Sequence, residues 1–198
     1  MKLVAFVDLH ADGRRLKQLR MLVQREKPSL LLCAGDISVF EQGLGEMLFA
    51  INQMGKAVIV HGNHESEERM ADLAGFFEDI SFVHNGFIVH ENVAIVGHGG
   101  GGFDTRDRSF ERTGKKLHRA LAKHKGKSIF IMHAPPYGTA LDAIMDGHRG
   151  SKSYREFIEK AQPDLAICGH FHEHAGKEDR IGKTRVINPG PRGMVIEL

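Results

Sequence analysis

The chain has 198 residues, of which 41% are hydrophobic, and its formal net charge is +2. This length and apolar content are enough for one domain with a sizeable core, and we expect a single domain over residues 1–198. No apolar run approaches the length of a membrane span and no signal peptide is visible, which argues against a membrane protein and predicts a cytoplasmic one. Cys33 and Cys168 lie in apolar strand-like runs, so we expect buried, reduced thiols rather than a disulfide.

Taken in chain order, five apolar runs that predict strands each end at polar side chains. The runs are residues 3–7, 30–34, 58–60, 128–132 and 165–168. The polar residues that follow them are Asp8 and His10, Asp36, Asn63 and His64, His133, and finally His170 and His172. A single Asp or His after a strand is usually a turn or surface residue, but its recurrence after five strands is not explained that way. Because open α/β sheets hold ligands at the carboxyl ends of their parallel strands, we expect these side chains to converge.

Helical patterns alternate with these strands, which favours sheets rich in parallel pairs. Apolar residues at helical spacing predict helices over residues 14–27 and 41–54. Residues 87–96 have the pattern of a β-hairpin, and the segments 181–187 and 194–196 have a similar strand character. We therefore expect two sheets with helices outside both.

The segment 106–127 is rich in lysine and arginine. Phe110, Leu117 and Leu121 can form the inner face of an amphipathic helix there, which would leave the basic residues on a solvated outer face. A surface that binds nucleic acid is the alternative interpretation, which we favour less.

The five strand endings together resemble the motifs of the calcineurin-like metallophosphoesterase superfamily. The matching residues are Asp8-Leu9-His10, Gly35-Asp36, Gly62-Asn63-His64-Glu65, His133 and Gly169-His170-Phe171-His172. In the large protein phosphatases of that superfamily the second motif is longer, whereas here Ile37 and Ser38 follow Asp36, so the sequence looks more like the small prokaryotic phosphodiesterase-type members. The resemblance implies a four-layer αββα sandwich of two mixed sheets flanked by helices.

The resemblance also implies a ligand set for two divalent cations. Asp8, His10, Asp36 and His172 would hold one ion, and Asp36, Asn63, His133 and His170 would hold the other. Carboxylate, imidazole and amide ligands without cysteine suit manganese, which we expect first, and also iron, zinc or nickel. Two cations that share Asp36 would acidify a water and clamp the phosphoryl oxygens for in-line attack. His64 has no ligand role, and we expect it to protonate the leaving alkoxide.

Other polar residues are candidates for contact with the substrate. Asn63 lies among the ligands, and His98 precedes a run of glycines through which backbone can approach a ligand closely. Arg149 lies in the loop after His133 and could pair with a phosphate. Glu65 either orients His64 or begins the following helix.

These observations predict a dinuclear metal-dependent phosphodiesterase that hydrolyses a small soluble phosphate ester. Its catalytic residues would be His64 and Asp36. A metal-dependent nuclease is the alternative among enzymes, and a non-catalytic scaffold of the same fold is the alternative outside them. The preference for a diester or a monoester and the oligomeric state stay open at the level of sequence.

Overall fold

Strands and helices alternate along most of the chain in this computed structural model, which describes residues 1–198. The strands are β1 (Lys2–Phe6), β2 (Leu30–Cys33), β3 (Ala57–Ile59), β4 (Ile80–Phe82), β5 (Gly86–His90), β6 (Val93–His98), β7 (Lys127–Met132), β8 (Ala143–Ile144), β9 (Gly147–His148), β10 (Leu165–Ile167), β11 (Glu178–Ile181), β12 (Thr184–Ile187) and β13 (Met194–Glu197). The helices are α1 (Gly13–Glu26), α2 (Leu44–Asn52), α3 (Glu67–Ala74), α4 (Arg108–Lys123) and α5 (Lys152–Ala161), with a short 3₁₀ turn at His172–His174. None of the helices combines the length and the apolar character that a bilayer crossing needs.

The large strands form two mixed sheets. The first sheet has the order β13-β1-β2-β3-β4, in which only the β1–β13 pair is antiparallel. The second has the order β11-β12-β10-β7-β6-β5, with parallel pairs at its centre and an antiparallel strand at each edge. This arrangement confirms the predicted pair of mixed sheets.

Alternation of side chains along each strand creates three apolar layers. On β1, Leu3 and Ala5 pack between the two sheets, whereas Val4 and Phe6 pack beneath α1, α2 and α3. On the second sheet the outward-facing side chains, such as Phe130, pack beneath α4 and α5. The chain therefore has the four layers of the expected αββα sandwich.

Side-chain caps fix where most of the helices begin. Asp12, Ser66, Asp107 and Ser151 each precede a helix and accept a hydrogen bond from a backbone N–H of its first turn. Helix α2 differs from the prediction, because it begins at Leu44 rather than at residue 41. The backbone before this helix is not helical, because φ is positive at Phe40, Glu41 and Gly43.

The other predictions about local structure are confirmed. The segment 106–127 contains helix α4, whose buried face includes Phe110, Leu117 and Leu121. Cys33 and Cys168 are buried free thiols, and burial raises the pKa of both. A raised pKa keeps a thiol protonated and unreactive at neutral pH.

Phe130 offers a test of the outer apolar layer. Its side chain is fully buried and its ring centroid lies 4.9 Å from that of Phe157 and 5.4 Å from that of Phe110. We expect Phe130→Ala to lower the free energy of unfolding by about 3–5 kcal/mol, because the cavity removes these contacts. Urea unfolding would measure the change, and Phe76→Ala is the control, since Phe76 is 79% exposed. Equal effects of the two substitutions would contradict the assigned packing.

Candidate metal centre

The polar residues that follow five strands meet where the carboxyl ends of the two sheets come together. Asp8, Asp36 and Asn63 follow β1, β2 and β3 of the first sheet, and His133 and His170 follow β7 and β10 of the second. His133 Nδ1 lies 2.8 Å from the Ala34 carbonyl oxygen, so a hydrogen bond joins the two sheets at this point. The seam between the sheets therefore carries the cluster that the sequence predicts.

Asp8, His10 and His172 form one group of converging ligand atoms. His10 Nε2 and His172 Nε2 lie 2.9 Å apart, and His172 Nε2 lies 3.9 Å from Asp8 Oδ1. Asp8 Oδ1 is buried and has no hydrogen-bond partner. Two imidazole nitrogens and an unpaired buried carboxylate oxygen that face one another are a donor set that fits a divalent cation.

A second group forms around Asn63 and His133. Asn63 Oδ1 lies 2.9 Å from His133 Nε2 and 2.8 Å from His170 Nδ1. Asp8, Asp36 and His133 also bring their ligand atoms within 4.8 Å of one another. This second set of oxygen and nitrogen donors likewise fits a divalent cation.

Asp36 lies between the two groups. Its Oδ2 is 3.3 Å from His133 Nε2 and 3.7 Å from His10 Nε2. Burial raises the pKa of the Asp36 carboxyl, but the nearby His133 imidazole and the backbone N–H of His64 outweigh burial and hold that pKa well below its usual range. Asp36 is therefore an ionised group that reaches both sets of donors.

Burial and neighbouring charge act in opposite directions on the histidines of the site. Burial lowers the pKa of His133, but Asp36 and Asp8 more than offset it and raise that pKa to about 9. For His170, burial together with His133 lowers the pKa to about 4. Burial also raises the pKa of Asp8. The carboxylates thus stabilise positive charge at the position of His133 Nε2, which is the side of the ring that faces the cluster.

His64 lies beside this cluster with a defined tautomer. Its backbone N–H donates to Asp36 Oδ1 at 3.0 Å, and the backbone N–H of Phe40 donates to its Nδ1 at 3.3 Å. Because Nδ1 accepts this hydrogen bond, we assign the ring proton of neutral His64 to Nε2. His64 Nε2 lies 3.9 Å from Asp36 Oδ2, so the proton-bearing nitrogen points toward the ligand groups.

Glu65 has a role that neither sequence interpretation anticipated. Its buried carboxylate accepts hydrogen bonds from the backbone N–H groups of Asp36, Ser38 and Gly62 and from the Ser38 hydroxyl. Helix α3 begins after Glu65, and its cap is Ser66. Glu65 therefore ties the loop after β2 to the loop after β3, and it thereby positions Asp36.

Two glycines allow these loops to approach each other. A Cβ at Gly62 would overlap Asp36 Oδ1, and a Cβ at Gly35 would lie 2.5 Å from the Gly62 nitrogen. Gly35 also has φ of +96°, a conformation that L side chains rarely adopt. The Gly-Asp and Gly-Asn-His motifs need their glycines for this close contact.

The structure corrects the expectation that His98 contacts the substrate. His98 is 2% exposed, and its ring nitrogens lie 2.8 Å from Asn85 Oδ1 and 2.7 Å from Asp107 Oδ2. The Tyr154 hydroxyl donates to the same Asp107 oxygen at 2.9 Å. Both nitrogens of His98 are thus used inside the protein, and neither is free for a ligand.

Arg149 is not brought to the cluster either. It is exposed, and its guanidinium lies 3.5 Å from the His148 carbonyl oxygen rather than near a ligand residue. His61 and His84, for which the sequence offers no motif, pack behind the site with His61 Nε2 3.2 Å from His84 Nδ1. No local signal identifies these two histidines as a pair, because they lie more than twenty residues apart in the chain.

The sandwich and the paired ligand groups define a metallophosphoesterase type of centre. The family model for the calcineurin-like phosphoesterase superfamily domain matches residues 1–196. The chain belongs to this superfamily, and it is therefore a metal-dependent phosphoric ester hydrolase.

Individual relatives agree with this assignment. A protein of Methanocaldococcus jannaschii that is described as uncharacterized is 31% identical over 206 residues, which cover 99% of this chain and 91% of that protein. The crystal structure of TT1561 of Thermus thermophilus matches with a TM-score of 0.77 and 16% identity, over 96% of this chain and 88% of that one. A dimetal phosphatase from Danio rerio matches with a TM-score of 0.68 and 12% identity, over 94% of this chain and 86% of that one. At these identities the two structures establish the fold.

The contacts of Glu65 predict a measurable link between loop geometry and metal binding. In Glu65→Gln an amide NH₂ replaces one carboxylate oxygen and faces N–H or O–H donors, so we expect a loss of about 1–3 kcal/mol in unfolding free energy. Because Glu65 positions Asp36, we also expect Mn²⁺ affinity to fall by about ten- to a hundredfold.

Denaturant unfolding and calorimetric titration with Mn²⁺ would measure the two effects. Glu68→Gln is a matched control, because Glu68 is exposed and makes no side-chain hydrogen bond or ion pair. Lower stability with wild-type Mn²⁺ affinity would show that Glu65 has no influence on the ligand.

Proposed function

We propose that this protein is a dinuclear phosphodiesterase that hydrolyses a small soluble phosphate ester. The observation that carries the proposal is the position of Asp36, whose Oδ2 lies within 4 Å of both His10 and His133. One ionised carboxylate between two separate donor groups is the arrangement that two cations need in order to share a ligand. Membership of the superfamily supplies the class of reaction, and this geometry supports two ions rather than one.

The residues that would hold the ions follow from the two groups. Asp8, His10, Asp36 and His172 would hold one cation, and Asp36, Asn63, His133 and His170 would hold the other. The mixture of imidazole nitrogens with carboxylate and amide oxygens suits manganese, and iron, zinc and nickel are also compatible. When bound, two such cations supply an activated water nucleophile and neutralise charge on the phosphoryl group.

His64 would act as the general acid. Its Nε2 faces the cluster, so the imidazolium form of the ring can deliver an Nε2 proton to a departing alkoxide, and the 3.3 Å contact from the Phe40 N–H to Nδ1 is released while the ring is protonated. Asn63 can also bind the substrate, because only its Oδ1 faces His133 and His170 and its amide NH₂ remains free to donate to a phosphoryl oxygen. Asp36 contributes by fixing the backbone of His64 at 3.0 Å.

The basic segment 106–127 bears on the alternative of a nuclease. Its helix α4 packs on the outer face of the second sheet. Arg106 in the same segment is already paired with Glu111 and Glu156 at 2.9 and 2.7 Å. These contacts favour a solvated helix face, so we favour a small ester over a nucleic acid as the substrate.

We expect chelator-treated protein to lose hydrolysis of bis(p-nitrophenyl) phosphate and to regain it with Mn²⁺, because the charge of the phosphoryl group needs the cations. The diester should be hydrolysed faster than p-nitrophenyl phosphate. Release of p-nitrophenolate would follow both reactions, and metal analysis should give two ions per chain. A single ion at full activity would contradict the dinuclear proposal, and a higher rate on the monoester would contradict the diester preference.

We expect His64→Ala to keep both metal ions but to lose about 10²–10⁴ in turnover on esters with a poor alkyl leaving group, because no other side chain supplies the proton. The loss should be much smaller with p-nitrophenolate, which departs without protonation. His90→Ala is the control, since His90 lies at the β5–β6 turn and belongs to no ligand group. Unchanged turnover of the alkyl ester would remove His64 from the mechanism.

A further inference from the structure

Two exposed phenylalanines lie at opposite ends of the ligand cluster. Phe40 stacks on His64 with ring centroids 4.3 Å apart, and Phe103 contacts His170 with centroids 5.0 Å apart. Each phenylalanine is 70% exposed. His64 neighbours His10 at one end of the cluster, and His170 neighbours His133 at the other. An apolar surface therefore borders each end of a strongly polar site.

The turn that carries Phe40 is held in a costly conformation. Phe40 and Glu41 have φ values of +49° and +67°, which are unfavourable for residues other than glycine. The backbone N–H of Phe40 donates to His64 Nδ1, that of Glu41 donates to the His64 carbonyl, and Glu41 Oε1 accepts from the Ser66 hydroxyl. These contacts fix the Phe40 ring against His64 while most of the ring faces solvent.

A hydrogen bond joins the two ends of the loop that carries Phe103. His98 and Asp107, at the two ends of the loop, lie 2.7 Å apart, and the Tyr154 hydroxyl adds a second bond to Asp107. Burial raises the pKa of Asp107, but His98 and the other hydrogen bonds outweigh burial and keep the carboxyl ionised. The backbone N–H of Gly100 donates to the His61 carbonyl at 2.8 Å. The buried His98 thus closes the loop that places Phe103 beside His170.

The positions of these rings indicate a flat apolar occupant rather than a patch of protein core. Other exposed phenylalanines, such as Phe49 and Phe76, lie on α2 and after α3 and touch no ligand residue. Only Phe40 and Phe103 combine high exposure with contact to a site histidine. A phosphate at the cluster would place its two ester groups toward the two ends, where each can stack on an aromatic ring.

Building on the proposed phosphodiesterase function, we propose that Phe40 and Phe103 select phosphodiesters that carry an aromatic group, such as a nucleobase, on each side of phosphorus. Phe40 contacts the leaving group, because it borders the general acid His64, and Phe103 contacts the ester group that is retained. In the reaction water adds to phosphorus, the P–O bond to the leaving group breaks, and the departing oxygen takes the Nε2 proton of the His64 imidazolium. The proton that the attacking water gives up then restores the imidazolium. The products are a monoester, which keeps the group beside Phe103, and an alcohol.

Pairs of substrates separate the two rings. Bis(p-nitrophenyl) phosphate and methyl p-nitrophenyl phosphate differ only in the retained group, and methyl phenyl phosphate and methyl trifluoroethyl phosphate differ only in the leaving group. With the Mn²⁺-loaded full chain, we expect Phe103→Ala to lower kcat/KM for bis(p-nitrophenyl) phosphate by about tenfold, which is the scale of one aromatic stacking contact. The same substitution should change kcat/KM for methyl p-nitrophenyl phosphate by less than about twofold. We expect Phe40→Ala to lower kcat/KM for methyl phenyl phosphate by about tenfold and to change kcat/KM for methyl trifluoroethyl phosphate by less than about twofold.

Controls separate recognition from other causes. Phe49→Ala and Phe76→Ala should leave the ratio of the two kcat/KM values within each substrate pair unchanged. Urea unfolding should verify that all variants fold. If Phe40 acted only by holding His64, Phe40→Ala would lower kcat/KM for methyl trifluoroethyl phosphate at least as much as for methyl phenyl phosphate, because the poorer leaving group depends more on the general acid. That result would overturn the inference for Phe40. Equal changes in kcat/KM for bis(p-nitrophenyl) phosphate and methyl p-nitrophenyl phosphate in Phe103→Ala would overturn the inference for Phe103.

A binding measurement distinguishes failure of the inference from failure of the proposed function. Calorimetry should show that the Mn²⁺-loaded protein binds diphenyl phosphate about a hundredfold more tightly than dimethyl phosphate, about tenfold for each ring, and that Phe40→Ala/Phe103→Ala loses this preference. Equal affinities for the two diesters in the wild-type protein would overturn the inference even if both were hydrolysed. Absence of Mn²⁺-dependent hydrolysis with the binding preference intact would overturn the proposed function alone.

Discussion

The site depends on one buried carboxylate, that of Asp36, which contacts groups from both sheets. Its oxygens meet His10 from the first sheet, His133 from the second and the backbone of His64. An ionised carboxylate can stay buried only when it is paired or hydrogen-bonded, so these partners are a condition for its charge. Glu65 accepts a hydrogen bond from the Asp36 backbone N–H, and Gly62 leaves room for the Asp36 side chain. The seam between the sheets is consequently both a structural contact and the centre of the chemistry.

The scaffold and the loops have different roles in this enzyme. The three apolar layers fix the strand ends, and with them the candidate ligand residues, to within hydrogen-bond distances. The loops then decide what surrounds the phosphate, because they carry Phe40 and Phe103 to the margins of the cluster. His98 serves this second purpose, since its bond to Asp107 closes a loop instead of binding a ligand. Members of one superfamily can in this way share a reaction and differ in substrate.

Much of the fold was predictable because its signals are local. Apolar runs predicted the central strands, and apolar residues at helical spacing predicted both ends of α1 to within one residue. The start of α2 was wrong, because the backbone of Phe40 and Glu41 is held by contacts with His64, more than twenty residues away, and not by its own propensity. Glu65 was misread for a similar reason. An acidic residue near a helix start usually favours the helix dipole, whereas here its hydrogen bonds reach residues almost thirty positions away.

The sequence by itself determined the class of enzyme and the residue types at each strand end, because both are written in short motifs at fixed positions after apolar runs. Only the tertiary structure decided which of those side chains meet, that Asp36 reaches both groups, and that His98 and Arg149 stand apart from them. The physical reason is that these distances depend on how two sheets pack face to face. That packing is set by many apolar contacts between distant parts of the chain, and no single motif encodes it.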